Sequence, residues 1–436
     1  MSKVLVLGLS KSGIAAAKFL KRHGYDVYLT ESKNVEANQE LLDMGIHIET
    51  GGHSLTFVEG SEFAVTSPGI PPHSIIIELL RLKNIPVISE IELAYRMSDT
   101  PFVAITGTNG KTTTTALTAH IFEKKFKAKA CGNIGQPPCD IADEKLDYFV
   151  CEMSSYQIAM SPTLTPFISV WTNFTPDHID WHQGIENYFA AKAKIFKAPQ
   201  APKYSVLNAK DERLKDFDAD GKIFYFGERK GDNSCYVKNS EFIYEHDGVT
   251  EFSMPVSDCP LVGEHNYQNV ECAIICAKLA GIENETIIEG IKEFKSPAHR
   301  LEYVAKHDGI TFYNDSKATN PEAAIVAIKS FNNQNVVLIA GGRDKNTGLK
   351  EFCDEIKNHI KTVILIGEAA DRFEKNLTAN GFTNIIREKT LQSAIDKSIE
   401  LKPDVVLLSP ACASFDMFKG YEERGDVFKD YVLSKI

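Results

Sequence analysis

Runs of four or five apolar residues alternate along this chain with stretches whose apolar positions recur every three or four residues. The first pattern predicts buried strands of a parallel sheet, and the second predicts helices that cover it. Val4-Leu5-Val6-Leu7 opens the series. The turn Gly8-Leu9-Ser10-Lys11-Ser12-Gly13 follows, then a helical stretch over 14–23 and a strand over 25–30 that ends at Glu31. This is a βαβ unit begun by a glycine turn. Short extended pieces are expected at 63–66 and 85–88, and a helix over 90–96 runs into the linker-like Ser98-Asp99-Thr100-Pro101.

A second series starts with a strand over 102–106, a glycine loop and a threonine-rich helix. Strands over 148–152 and 167–173 end in polar residues, and a helix carrying Tyr188, Phe189, Ile195 and Phe196 follows. Between 223 and 255, apolar and polar residues alternate with turns, which predicts a small antiparallel section. Helices near 266–280 and 283–294 lead to a second boundary at Ser296-Pro297. The third series places strands at 311–313, 336–340, 362–366 and 405–408, with Pro321 starting a helix and Gly341-Gly342 and Gly367 marking turns. The expected class is α/β with three domains, 1–95, 96–297 and 298–436, and ligands beyond the carboxyl ends of the strands. The 436 residues, at roughly 150 per domain, agree with three.

Composition changes this picture little. With 43% hydrophobic and 25% charged residues, disorder, a collagen-like fibre and a cystine scaffold are excluded. A net charge of −11 disfavours broad nucleic-acid or anionic-membrane binding, although local basic pockets stay possible. The nine cysteines contain no C-x-x-C pair and are expected to be reduced and mostly buried, which suits the cytoplasm. The N-terminal apolar run is too short for a signal peptide, and no stretch approaches the length of a membrane span.

The sharpest chemical signal is Thr106-Gly107-Thr108-Asn109-Gly110-Lys111-Thr112-Thr113, between a strand and a helix. Glycines let successive N–H groups face an anion, and the helix N-terminus adds partial positive charge. Lys111 supplies a point charge for β- and γ-phosphates, and the Thr112 hydroxyl can ligate Mg²⁺. The loop is a variant of G-x-x-x-x-G-K-[ST], with Ile105 at the first glycine. The competing reading, a capped turn with a solvated lysine, is opposed by the flanking strand and helix.

Other signals are weaker. Gly8-x-Ser10-x-x-Gly13 resembles a dinucleotide turn, but Ser10 replaces the glycine that lets backbone approach a pyrophosphate. A nucleotide diphosphate held by Ser10, Lys11 and Ser12 fits this turn, and so does a purely structural role. Glu31 falls where a ribose-contacting acid would stand. Glu152 ends an apolar strand, placed either to hold Mg²⁺ or to cap a helix. Asp177, His178, Asp180 and His182 crowd into one loop, and spacing alone does not choose between the two histidines as a ligand. Lys192 and Lys194, in Ala190-Ala191-Lys192-Ala193-Lys194, read as a solvated basic face.

GTNGKTTT, EMSSYQ, TNFTPDHIDWH, GEHNYQN, AHRLE, NDSKATN and SPACASFD occur in this order across nearly the whole chain. Together they resemble the Mur ligase family, ATP-dependent amide-forming enzymes of peptidoglycan assembly. The GLSKSG turn and the SPACASFDMFKGYEERG stretch favour the member that adds D-glutamate to UDP-N-acetylmuramoyl-L-alanine. The resemblance implies a Rossmann-like N-terminal domain for the UDP-substrate, a central P-loop ATPase-like domain and a Rossmann-like C-terminal domain for the amino acid. It implies an acyl phosphate on the alanyl carboxylate, attacked by the D-glutamate amine. A carboxylate is a poor electrophile until phosphorylation gives it a leaving group. Two like charges at about 4 Å repel by about 4 kcal/mol at intermediate dielectric, which Lys111 and two Mg²⁺ ions would offset.

Residue by residue, the resemblance makes Lys111, Glu152, His178 and Lys192 the catalytic set. Thr112 and Glu152 resemble a first Mg²⁺ site. His178 resembles a second-site ligand, and Lys192 the family lysine carbamylated by CO₂. ATP contacts are implied for Gly107, Thr108, Asn109, Gly110, Lys111, Thr112, Thr113, Asn266 and Asn269, with Arg300 on the phosphates and Asp315 on the ribose. UDP would meet Ser10, Lys11, Ser12, Ser32 and Lys33, and the muramoyl-alanine Asn133, Ser154, Gln157 and His178. Lys317, Thr319, Lys345, Ser414, Phe415 and Tyr421 match the D-glutamate pocket, whose lysines and hydroxyls suit a dicarboxylate. Phe415 and Tyr421 stand where the family often has Leu and Phe, which keeps apolar bulk. A cytoplasmic monomer without membrane insertion is expected, its C-terminal domain closing on the others. A folylpolyglutamate-synthase-like ligase would lack the domain at 1–95, and another Mur ligase would take a different amino acid. Ser10 opposes a nicotinamide oxidoreductase, and Glu152, His178 and Lys192 oppose a nucleotide switch without ligase chemistry.

Overall fold

The computed structural model describes residues 2–177, 179–331, 334–344 and 346–436. Three sheets organise them. The first has β1 (Lys3–Leu7), β2 (Asp26–Glu31), β3 (His47–Thr50), β4 (Ala64–Thr66) and β5 (Val87–Ser89), all parallel, in the order β3-β2-β1-β4-β5. β1 is central and its Val4 to Leu7 are fully buried, which is why that run is uniformly apolar. The helix Lys11–Arg22 lays Ala15, Ala16, Phe19 and Leu20 on the sheet. Strand order reverses between β1 and β4, so a crevice opens there at the carboxyl edge. The glycine turn occupies that edge. Gly8 has φ +94°, and a Cβ on Gly13 would stand 2.0 Å from the Gly8 carbonyl oxygen.

The second sheet comprises β6 (Phe102–Thr106), β7 (Ala128–Gly132), β8 (Tyr148–Glu152), β9 (Ile168–Trp171), β10 (Tyr204–Asn208), β11 (Lys222–Phe226), β12 (Ser234–Lys238), β13 (Glu241–His246) and β14 (Val249–Pro255). Their order is β14-β13-β12-β11-β10-β9-β6-β8-β7. The antiparallel section is shorter than the alternation suggested. β11 pairs parallel with both β10 and β12, and antiparallel pairing starts only between β12 and β13. Trp171, at the end of β9, is buried among Phe174, Phe189, Phe196 and Phe217, with ring centroids 4.9–6.2 Å away. This aromatic core anchors the loop that follows β9.

The third sheet holds β15 (Glu302–His307), β16 (Ile310–Asn314), β17 (Val336–Gly341), β18 (Thr362–Ile366), β19 (Ile385–Arg387) and β20 (Val405–Leu408), ordered β15-β16-β20-β17-β18-β19. Only β15 runs antiparallel.

The chain divides into two compact units. The first, 1–258 with 268–292, contains the first two sheets. The second, 259–267 with 293–436, contains the third, so the helix Glu264–Leu279 is shared between them. All nine cysteines are free thiols; eight are buried and Cys259 is half-buried. No described helix is long and apolar enough to cross a membrane.

Candidate functional site

The glycine loop joins β6 to the helix Lys111–Glu123 and is braced from the segment after β9. Asn173 accepts the Thr108 N–H at its carbonyl (3.0 Å) and the Asn109 N–H at its side-chain oxygen (2.8 Å), and its amide donates to the Asn109 carbonyl (3.0 Å). Thr172 Oγ1 donates to the same carbonyl at 2.6 Å. Gly107 must be glycine here. Its φ is +145°, and a Cβ would lie 1.9 Å from Thr172 Oγ1. Gly110, at φ +82°, starts the helix, whose first turn holds no acid to compete with an anion. Lys111 Nζ folds over the loop onto the Gly107 and Thr108 carbonyls (3.0 and 2.8 Å). Thr112 and Thr113 are half-buried beside it.

Glu152 ends β8 with its backbone aligned to Ile105 of β6 and Gly132 of β7. The residue is 2% exposed. One carboxylate oxygen accepts from Asn133 Nδ2 at 2.8 Å, and the other is buried without a hydrogen-bond partner among the described residues. An orphaned buried carboxylate oxygen beside a phosphate-type loop fits a hard cation such as Mg²⁺.

Lys192 is not on a solvated face. It lies 1% exposed in the helix Ile185–Ala193, its Nζ donating to the Gly107 carbonyl (2.9 Å) and Thr106 Oγ1 (3.3 Å), above the Tyr188 ring. Burial, and then the charge of Lys111, pull its amine well below the usual lysine range, with Asp177 and Glu152 opposing. The Tyr188 hydroxyl lies 3.3 Å from Thr108 Oγ1. Lys194, its neighbour in sequence, instead donates to the Ala159 carbonyl. Of the two histidines, His182 is buried with Nε2 2.8 Å from Ser155 Oγ, the geometry of a structural contact. His178 lies outside the described residues, as does Lys345.

In the first sheet, Glu31 accepts the Leu9 and Lys33 N–H groups (2.9 and 3.0 Å). Burial pushes its carboxyl up, but these bonds and Ser32 outweigh it and hold it below the usual range. Glu31 thus shapes the two loops that carry Ser10, Ser32 and Lys33. Ser10 donates to Ser67 Oγ at 2.9 Å and sits 3.4 Å from Ser12 Oγ. Lys11 reaches the Gly135 carbonyl at 2.5 Å, in the loop that also bears Asn133. Ser154 and Gln157 cap one another at the start of the helix Ser155–Ala159. Asn269 is buried, accepts from Thr114 Oγ1 at 3.0 Å and leaves no room for a side chain at Gly110.

In the second unit, Asn266 donates to the Val262 carbonyl (2.8 Å). Asp315 accepts from Ser409 Oγ (2.8 Å) and the Leu301 N–H (3.1 Å), which ties down the segment after Arg300. Burial pushes its carboxyl up to about 7 against those bonds and the charges of Arg300 and Arg424. Lys317 Nζ stands 5.2 Å from the centroid of the Tyr421 ring. Thr319 is half-buried, Ser414 buried and Phe415 64% exposed. Sequence reasoning gave no role to Arg424. It is buried and donates to Ser316 (Oγ at 2.9 Å, O at 2.8 Å) and to the Cys412 carbonyl at 3.1 Å, drawing together the loops of Lys317 and Ser414. Its place in a run of charges on a helix gave no sign of burial. Asn173 was likewise visible only as one letter of a motif.

Comparison with known proteins identifies the family. Three family models match: the Mur ligase MurD-like N-terminal domain over 2–89, the Mur ligase middle domain over 105–277, and the Mur ligase glutamate ligase domain over 299–412. A UDP-N-acetylmuramoylalanine–D-glutamate ligase of Acidobacterium capsulatum is 39% identical, covering 99% of this chain and 96% of the relative. One of Microcystis aeruginosa is 40% identical, covering 99% and 100%. Among solved structures, the UDP-N-acetylmuramate–alanine ligase of Thermotoga maritima shares the fold at TM-score 0.62 and 19% identity over the whole of both chains. With an α/β fold of N-terminal, middle and C-terminal domains and relatives of this similarity over nearly its full length, the chain belongs to the Mur ligase family of ATP-dependent, amide-forming ligases.

Proposed function

We propose that the chain joins D-glutamate to UDP-N-acetylmuramoyl-L-alanine through an acyl phosphate, releasing ADP and phosphate, as a cytoplasmic monomer in peptidoglycan precursor synthesis. Residues 1–95 would serve the UDP-substrate, 96–297 ATP, and 298–436 the amino acid. The observation that carries the reading is the meeting of a braced phosphate loop, an orphaned Glu152 oxygen and a buried lysine amine. Magnesium-bound ATP supplies the γ-phosphoryl group that makes the alanyl carboxylate a competent acyl donor. Lys111 and the loop N–H groups would hold its phosphates, and Thr112 and Glu152 would hold the first metal ion. Asn266, Asn269, Arg300 and Asp315 are the further ATP contacts of this reading.

The depressed basicity of Lys192 favours its neutral amine, the form whose lone pair attacks CO₂. A C–N bond forms as one C=O π bond of CO₂ opens, the amine proton passes to solvent, and the resulting carbamate would offer oxygen to a second metal ion, with His178 as a further ligand in this reading. Ser10, Lys11, Ser12, Ser32 and Lys33 take the UDP, and Asn133, Ser154 and Gln157 the muramoyl-alanine. Lys317, Thr319, Lys345, Ser414, Phe415 and Tyr421 take D-glutamate. The test is phosphate release with magnesium-ATP, UDP-N-acetylmuramoyl-L-alanine and single amino acids. Turnover is expected with D-glutamate and little with L-glutamate, L-lysine or glycine. Release that ignores the amino acid overturns the proposal.

A further inference from the structure

AHRLE, NDSKATN and the GYEERG end of the C-terminal motif converge at one point of the second unit, through three residues that have no role so far. They are His299, Asn314 and Gly425. Gly425 lies inside the helix Tyr421–Ser434, where glycine is a poor helix former. It is nonetheless required, because a Cβ would stand 2.1 Å from His299 Nδ1 and 3.0 Å from Asn314 Nδ2. Asn314 is fully buried at the end of β16. Its amide nitrogen lies 3.1 Å from His299 Nδ1, 3.1 Å from Glu302 Oε2 and 3.2 Å from the Gly425 carbonyl oxygen. The buried His299 ring is thus wedged between a helix backbone and a strand end.

The backbone beside it is strained. His299 has φ +64° and Leu301 φ +40°, left-handed values on either side of Arg300. Such conformations persist only where the surroundings impose them, and they gather at working sites. Here the His299 N–H donates to Glu302 Oε2 (2.8 Å) and the Leu301 N–H to Asp315 Oδ1 (3.1 Å). The His299 carbonyl accepts the Lys317 N–H at 3.1 Å, and its ring lies edge-on to that of Tyr421, with centroids 6.0 Å apart. One histidine therefore adjoins Arg300, assigned above to the ATP phosphates, and contacts two residues assigned to the amino acid.

We propose that His299 is a positioning residue: held between Gly425 and Asn314, it keeps Arg300 and Lys317 at a fixed separation, so that ATP and the amino acid are engaged by one rigid unit. The proposal rests on the ligase reading above. An amine that attacks a freshly phosphorylated carboxylate needs the groups holding each reactant in fixed register.

The test uses the full-length enzyme and two variants. His299→Asn keeps a residue that tolerates left-handed φ and removes the ring, and Gly425→Ala displaces the ring without removing a polar group. KM for ATP and KM for D-glutamate should each rise about tenfold in both variants, the scale of one lost neutral hydrogen bond. KM for UDP-N-acetylmuramoyl-L-alanine should stay within about twofold, a split that a merely structural role would not give. Alanine favours a helix interior over glycine, so a role confined to helix stability predicts no loss from Gly425→Ala. Asparagine is shorter than histidine and leaves room for the added methyl group. The double variant should therefore match His299→Asn alone, not show a rise of about a hundredfold. Thermal unfolding checks that each variant folds. Unchanged KM values in folded variants, a rise for ATP or D-glutamate alone, an equal rise for all three substrates, or additive effects in the double variant overturns the proposal. Unfolding of both single variants at the assay temperature overturns it too, since His299 then serves stability alone. A wild-type enzyme with no turnover dependent on D-glutamate overturns the ligase reading first. One that turns over with His299 silent overturns this proposal alone.

Discussion

Lys192 and Lys194 stand two positions apart in the same alanine-rich stretch, yet only one enters the site. The helix turns about 200° over two residues, which carries Lys192 inward under the phosphate loop and Lys194 away from it. Nothing in the local sequence distinguishes them, because burial of a lysine depends on what the third dimension brings over it. Here it brings the Gly107 carbonyl and the Tyr188 ring. The loop itself was legible, since Gly107 and Gly110 are required by backbone geometry that any reader of the motif anticipates. Lys192→Ala should lower turnover by about 100-fold or more, in the range of lost electrostatic catalytic groups. Acetate or another small carboxylate should restore part of it by replacing the carbamate oxygens. Full activity of Lys192→Ala without added carboxylate, measured as phosphate release, would remove the carbamate from the mechanism.

At the scale of elements, the helix Glu90–Arg96 fastens the first sheet to the second. The Ser89 N–H donates to the Met160 carbonyl (2.6 Å), Glu90 accepts the Cys139 N–H (2.6 Å) and Glu92 accepts the Leu164 N–H (3.0 Å). Periodicity revealed this helix but not its task, because its acids look like an exposed first turn. The pattern missed β3, β7, β15 and β19, all edge strands, and also β10, an interior strand whose short run Tyr204-Ser205-Val206-Leu207-Asn208 mixes polar with apolar residues. An edge strand has one neighbour and needs no continuous apolar run, so its sequence resembles a loop. The fastening also titrates. Burial pushes Glu90 up to about 7 from an ordinary 4.5, against the two bonds from Cys139. The folded protein therefore keeps a proton there that the unfolded chain has released. Stability from this group falls as pH rises from 4.5 to about 7 and is level above, a loss of about 3 kcal/mol. Glu90→Gln keeps the acceptor for Cys139 and does not ionise. Denaturant unfolding should show it more stable than wild type at about pH 8 and equal to it near pH 4. A constant difference across that range would contradict the assignment.

The whole molecule is less modular than three sheets suggest. Polypeptide passes between the two units after Asp258, after Tyr267 and after Lys292. The returning stretch 268–292 buries Val270, Ile274, Ile275, Ile287 and Ile291 in the first unit. Gln268 receives Asn208 Nδ2 at 3.2 Å, and Glu271 receives the Gly227 N–H at 2.7 Å. Each of these apolar side chains is worth about 1.5–3 kcal/mol when buried. A fragment ending at residue 258 should thus aggregate, whereas one ending at 292 should run as a soluble monomer on gel filtration. A monodisperse, cooperatively unfolding 1–258 fragment would refute the dependence. The boundaries expected at Ser98-Asp99-Thr100-Pro101 and Ser296-Pro297 rest on turn-forming residues, whereas a detour of nine residues (259–267) leaves no such mark.

That detour orders events on the ribosome. The phosphate loop emerges by residue 113, long before the stretch that seats Asn269 against Gly110 and Thr114. Until residue 292 has cleared the exit tunnel, the nascent nucleotide site stands open on one flank, a surface for chaperones to shield, and it matures only when more than two-thirds of the chain has been made.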